Sequence, residues 1–80
     1  MNENIKGTPL DYSDNKVSVY FEIGGIKLQE IRQVIENIDL IDAIQYSEYG
    51  FKVMIPIQII PEIVLQLTKE EIAIYAINRK

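Results

Sequence analysis

Apolar and polar residues alternate strictly from Lys16 to Ile23, with Val17, Val19, Phe21 and Ile23 on one side and Ser18, Tyr20 and Glu22 on the other. Period-two alternation predicts a half-buried strand. Gly24-Gly25 stops it, supplying either a tight turn or a close backbone approach to a ligand. Leu28, Ile31, Val34, Ile35 and Ile38 then recur at helical spacing, opposite Lys27, Gln29, Glu30, Arg32, Gln33 and Glu36. They predict an amphipathic helix of about three turns, ended by Asn37 to Asp39. Leu40 to Glu48 reads as a second strand with blurred alternation, in which Ile44 and Tyr46 oppose Ala43 and Gln45. A hairpin turn at Tyr49-Gly50 leads into a third strand, where Phe51, Val53, Ile55 and Ile57 alternate with Lys52, Met54 and Pro56. Pro56 cannot donate to a ladder and belongs near a strand end or on an unpaired side.

The stretch Ile60 to Asn78 changes period within one turn. Pro61 stands where a first helical residue would, followed by Ile63, Val64 and Leu67 on one face. Thr68 to Glu71 is a polar turn, and Ile72 to Ile77 is an unbroken run of β-branched, aromatic and small residues. A helix of about two turns is marginal alone, so it must bury its apolar face against the sheet that its own following strand joins.

Met1 to Asn15 is polar, interrupted by Gly7 and Pro9, and rich in the turn formers Asp11, Ser13, Asp14 and Asn15. It reads as a linker or flexible arm (residues 1–15) ahead of one folded domain (residues 16–80). The order strand, helix, strand, strand, helix, strand, joined by right-handed crossovers, places both helices on one face of a four-stranded antiparallel sheet. The expected architecture is α+β, a ferredoxin-like βαββαβ sandwich with spatial strand order 4-1-3-2. Its core would be Val17, Val19, Phe21, Ile23, Leu28, Ile31, Ile35, Ile38, Val53, Ile55, Ile63, Val64 and Leu67. For the last strand two phases compete, Ile72, Ile74 and Ala76 against Ala73, Tyr75 and Ile77. Tyr20 and Met54 lie opposite the core in their strands, and the last strand is apolar on both sides. Together Tyr20, Met54, Ile72, Ile74, Tyr75 and Ile77 form a candidate protein-contact surface.

Composition narrows what such a domain can do. Eighty residues, 48% of them hydrophobic, suffice for a single core. Twelve acidic residues against eight basic ones give a net charge of -4. With the basic residues scattered, no cationic surface is available to collect phosphates, so nucleic-acid binding is not expected. The chain has no cysteine and no histidine. Disulfides, thiolate metal sites and thiol nucleophiles are thereby excluded, as are the commonest general base and the commonest metal ligand. No run approaches the ~20 apolar residues of a membrane span, and the first residues lack the apolar core of a signal peptide. A soluble, cytoplasmic domain without membrane insertion is expected.

No catalytic constellation emerges. Asp11 and Asp14 lie in the arm, Glu30 and Glu36 on a polar helix face, and Glu70-Glu71 in a turn, all ordinary solvated positions. Ser13, Ser18 and Ser47 have no histidine to activate them. Gly24-Gly25 matches neither a dinucleotide fingerprint nor a phosphate loop. Activities hosted by this fold also fail: the CxxC pair of a metal chaperone is absent, as are the aromatic motif of an RNA-recognition domain and the arginine an acylphosphatase carries after its first strand. We therefore expect no enzyme activity, no cofactor and no metal.

Two segments resemble a known family. The arm IKGTPLDY resembles the segment that leaves the nucleotide-binding domain of many bacterial ABC transporter ATPases, typically a strand, a glycine, then Gly-Thr-Pro and an acidic or leucine residue. The tail IPEIVLQLTKEEIAIYAINRK resembles the end of the small βαββαβ domain that follows in exporters of the multidrug and lantibiotic-resistance type. There a proline-led helix of the form PEIV or PELL leads into a strand reading I-x-I-Y-x-I, matched here by Ile72, Ile74, Tyr75 and Ile77. The resemblance implies a C-terminal accessory domain of an ATPase subunit, with all nucleotide chemistry elsewhere, since no Walker motif, signature motif or switch histidine is present to carry over. In the family a short acidic segment of the type S/T-L-E-D-x-F usually follows the last strand; it is not among these residues, which fits either a piece cut before that segment or a free-standing relative.

The resemblance implies a non-catalytic regulatory or interaction domain whose partner is a protein, either a second copy in a homodimer or a transporter subunit. Two alternatives belong to other classes. One is an ACT-like sensor holding a small metabolite near Gly24 and Gly25 between two copies; the other is a free-standing inhibitor whose acidic surface engages a protein.

Overall fold

The computed structural model describes residues 5–24 and 28–79. Alternation and helical periodicity resolve into β1 (Lys16–Ile23), α1 (Leu28–Ile35), β2 (Asp42–Tyr46), β3 (Gly50–Pro56), α2 (Ile59–Lys69) and β4 (Ile74–Arg79). The strands form one sheet in the order β2-β3-β1-β4, and every neighbouring pair is antiparallel. This is the expected ferredoxin-like α+β fold, with the expected strand order. Pro56 is the last residue of β3, where its missing donor interrupts nothing.

The core forms on one face. Val19, Phe21, Phe51, Val53 and Ile55, alternate residues of the two central strands, cluster with Ile31 and Ile35 of α1 and Ile63 and Leu67 of α2. Both helices therefore cover the same side. The rings of Phe21 and Phe51 stack at 5.1 Å between centroids and 16° between planes. Phe51, Ile57 and Ile72 join the expected core as buried residues, whereas Val17, Ile38 and Val64 are only half-buried. The side chain of Leu28 lies outside the described residues. Gly50, opposite Glu22, opens β3 so close to β1 that a methyl group on it would overlap the Phe21 carbonyl.

Three of the boundaries that differ from the sequence expectation have a local reason. First, α1 stops at Ile35 rather than near Ile38, because the Asn37 side-chain amide donates to the Gln33 carbonyl at 2.6 Å, competing with the helical ladder. Second, α2 begins at Ile59, which puts Pro61 in the first turn, where its absent N–H leaves no helical bond unmade. Third, β4 begins at Ile74 rather than Ile72. Glu71 takes a left-handed φ of 61°, its N–H bonds to the Thr68 carbonyl and the Ile72 N–H to the Leu67 carbonyl, both at 2.9 Å. That is a Schellman cap with a glutamate in the position usually given to glycine, and Ile72 is buried in the core as its apolar follower.

The two phases considered for the last strand are both incomplete. Phe21 pairs with Ile77 and Val19 with Arg79, but Ile23 pairs with Ile74, so the register slips between Glu22 and Ile23. Residues paired directly across antiparallel strands share a face. Hence Ile74 and Ile77 both lie on the helix side, Ala76 and Asn78 on the open side, and Tyr75 occupies the bulge between them. A similar slip in β2, between Asp42 and Gln45, coincides with Ala43 at φ 51° and accounts for the blurred alternation there.

Residues 5–15, read from sequence as an arm, form turns held against the domain. The Asp11 carboxylate accepts from the Gly7 N–H at 2.7 Å and the Ser13 N–H at 2.9 Å. The Gln58 amide donates to the Pro9 carbonyl at 2.5 Å and the Asp11 carbonyl at 3.2 Å. Arg79 donates to the Gly7 carbonyl.

Candidate interaction surface

Because both helices lie on one side, the other side of the sheet is left open among the described residues, and strand register fixes its layout. Lys16 stands beside Pro56; Ser18 beside Met54, with Asp42 beyond; Asn78, Tyr20, Lys52 and Gln45 form one row; Ala76, Glu22 and Gly50 form the next. Tyr20, Ser18, Met54 and Ala76 are half-buried by their neighbours, while Lys52, Glu22, Gln45 and Asn78 are exposed. Lys16 Nζ reaches across β3 to Asp42 Oδ2 at 3.4 Å. The face thus has a semi-apolar centre with lysines and carboxylates around it.

The residues expected to form a single contact surface are distributed over several places. Tyr20 and Met54 sit on the open face, as diagonal neighbours at its centre. Ile74 is half-buried against the core, and Ile77 is 39% exposed along the helix side of the β4 edge. Tyr75 is 71% exposed at the bulge. Ile72, expected on this surface, is not part of it: at 4% exposure inside the α2 cap it has no surface to offer a partner.

The candidate ligand loop also has a specific local structure. The Gly24 N–H donates to the Ala73 carbonyl at 3.1 Å. The Tyr75 ring fills the space above Gly24, where a methyl group would collide with it. Gly25 lies outside the described residues.

On the helix side, a groove of about 520 Å³ runs between the end of α1 and the start of α2, lined by Val34, Asn37, Ile38, Ile59, Glu62 and Gln66 among others. Near it, Tyr46 donates to Glu36 Oε2 at 2.9 Å, with Arg32 4.9 Å above its ring. Burial, then the hydrogen bond to Glu36, push the Tyr46 phenol up to about 12. The hydrogen bonds from the Gly7 and Ser13 backbone N–H groups hold Asp11 below the usual carboxylate range.

Among the described residues no group of three or more carboxylates, histidines or cysteines is placed to hold a metal ion. No helix among them is long and apolar enough to cross a membrane. Sequence reasoning missed Gln58 and Arg79 as fasteners of the arm. Their only signal was polarity at the edges of apolar stretches, which solvated residues share. Comparison with protein-family models, curated proteins and solved structures found no match.

Proposed function

We propose that this chain is a non-catalytic interaction domain, acting as the accessory or regulatory domain of an ABC transporter ATPase subunit in the cytoplasm. The observation that carries the interaction reading is the uncovered sheet face with Tyr20 and Met54 at its centre. A four-stranded sheet with one face covered and the other semi-apolar is a platform for a protein. Tyr75, exposed at the bulge in β4, adds an aromatic group at the sheet edge. The transporter assignment rests on the Gly7-Thr8-Pro9 arm and on the proline-led helix and strand of the tail.

The test is to find the ATP-binding subunit encoded with this domain and to measure its ATP hydrolysis and assembly with the domain present and deleted. Altered hydrolysis or assembly is the expected result. Unchanged values for both, or a coding context with no ATPase, would overturn the transporter reading.

The sensor alternative draws less support from the loop geometry. Tyr75 already occupies the space over Gly24 that a metabolite would use. Calorimetric titration with amino acids separates the readings, since an interaction domain gives no heat.

A further inference from the structure

The open sheet face is complementary to itself. Along β1 its outward residues run Lys16, Ser18, Tyr20, Glu22, a cation at one end and an anion at the other. A two-fold axis in the plane of the interface, crossing the strands between Ser18 and Tyr20, would lay β1 antiparallel over the partner's β1. It sets Lys16 opposite the partner's Glu22, twice by symmetry, and Tyr20 opposite the partner's Ser18. The same axis sets Lys52 over the partner's Met54, beside the partner's Asp42. Facing sheets pack about 10 Å apart, a gap that a lysine and a carboxylate extended from opposite sides can bridge.

Other self-contacts fit less well. Both sheet edges are interrupted by bulges, at Tyr75 in β4 and at Ala43 in β2, which breaks the straight ladder that edge-to-edge pairing needs.

We propose that the occupant of the open face is a second copy of this chain, docked face to face about the two-fold axis that pairs Lys16 with the partner's Glu22. The proposal rests on the interaction-domain reading and names its partner. Four strands of this length present roughly 500 Å². That is below the ~800 Å² per partner of a standard interface, so the dimer is weak and reversible.

Sedimentation velocity of the whole chain, from roughly 10 μM to 1 mM, tests this. The wild-type chain should shift from monomer to dimer with concentration. Lys16→Glu and Glu22→Lys should each weaken the dimer at least about tenfold, because each sets like charges opposite one another. An equimolar mixture of the two variants should restore association, since every facing pair is then opposite in sign. Both positions are on the surface, and far-ultraviolet circular dichroism verifies that each variant is folded. A chain monomeric throughout the range would overturn the proposal and leave the face to a different protein. So would a dimer indifferent to both charge changes, or one abolished by Ile77→Lys, which would place the contact at the β4 edge. None of these outcomes bears on the ATPase measurement, so the two readings fail separately.

Discussion

The aromatic ring of Tyr75 lies on Gly24, so that the bulge in β4 and the end of β1 are locked by a tyrosine packed where a side chain would otherwise stand. Gly24→Ala should displace that ring. Tyr75 is largely exposed and free to swing away, so the cost should stay within about 1 kcal/mol. In a Tyr75→Ala background the same change should be neutral or stabilising by roughly 0.5 kcal/mol, giving a double-mutant coupling visible in urea unfolding.

Gly50→Ala meets a different obstacle. Its methyl would overlap the Phe21 carbonyl, backbone that the Phe21–Phe51 stack and the flanking ladder hold in place. The sheet has to separate locally, and we expect a loss of about 3 kcal/mol or more, read as a lower urea midpoint or absence of a cooperative transition.

Glu71→Gly should stabilise the domain. A non-glycine residue in the left-handed region costs roughly 1–2 kcal/mol, and glycine gives back part of the gain through its larger unfolded-state entropy. The net expectation is about 0.5–1 kcal/mol, measured by the shift of the unfolding midpoint with unchanged denaturant slope.

Tyr46 should ionise well above the ordinary phenol value of 10.0. Its folded-state value is raised from 10.0 to about 12, so the neutral phenol contributes stability that is fully present below the unfolded-state value. That contribution is lost as pH rises through the folded-state value, in the window from about pH 10 to about pH 12. Absorbance of tyrosinate should show an ionisation near pH 12 that Tyr46→Phe removes.

Asp11 moves stability at the opposite end of the scale. Its folded-state value is depressed by the Gly7 and Ser13 N–H groups, so its contribution is present above the ordinary value of 3.8 and is lost as pH falls through the lower folded-state value. The protection of the Gly7 and Ser13 amides against hydrogen exchange, relative to their intrinsic rates, should fall in acid, and Asp11→Asn should blunt that change.

Most of the architecture was legible because it is encoded by period. The alternation of Val17, Val19, Phe21 and Ile23 and the spacing of Ile31 and Ile35 each specify a buried face independently of any partner, and crossover handedness then leaves few topologies. Features that depend on a single residue against a distant one were not legible. The phase of β4 turns on a bulge at Tyr75, whose ring takes the space left open at Gly24, distant in the chain. Ile72 looked like a strand residue because nothing in its own identity reveals that Glu71 is left-handed. The open face was half legible: Tyr20 and Met54 were placed there by alternation, but the arrangement of Lys16, Lys52, Glu22 and Asp42 around them required the cross-strand register.

The bond from Arg79 to the Gly7 carbonyl ties the turns of residues 5–15 to the end of β4. It brings the path into β1 and the path out of β4 to one corner, so the fold behaves as a pendant on a string rather than a link in a chain. Such a module can hang from a loop of a larger protein without forcing the loop's two ends apart.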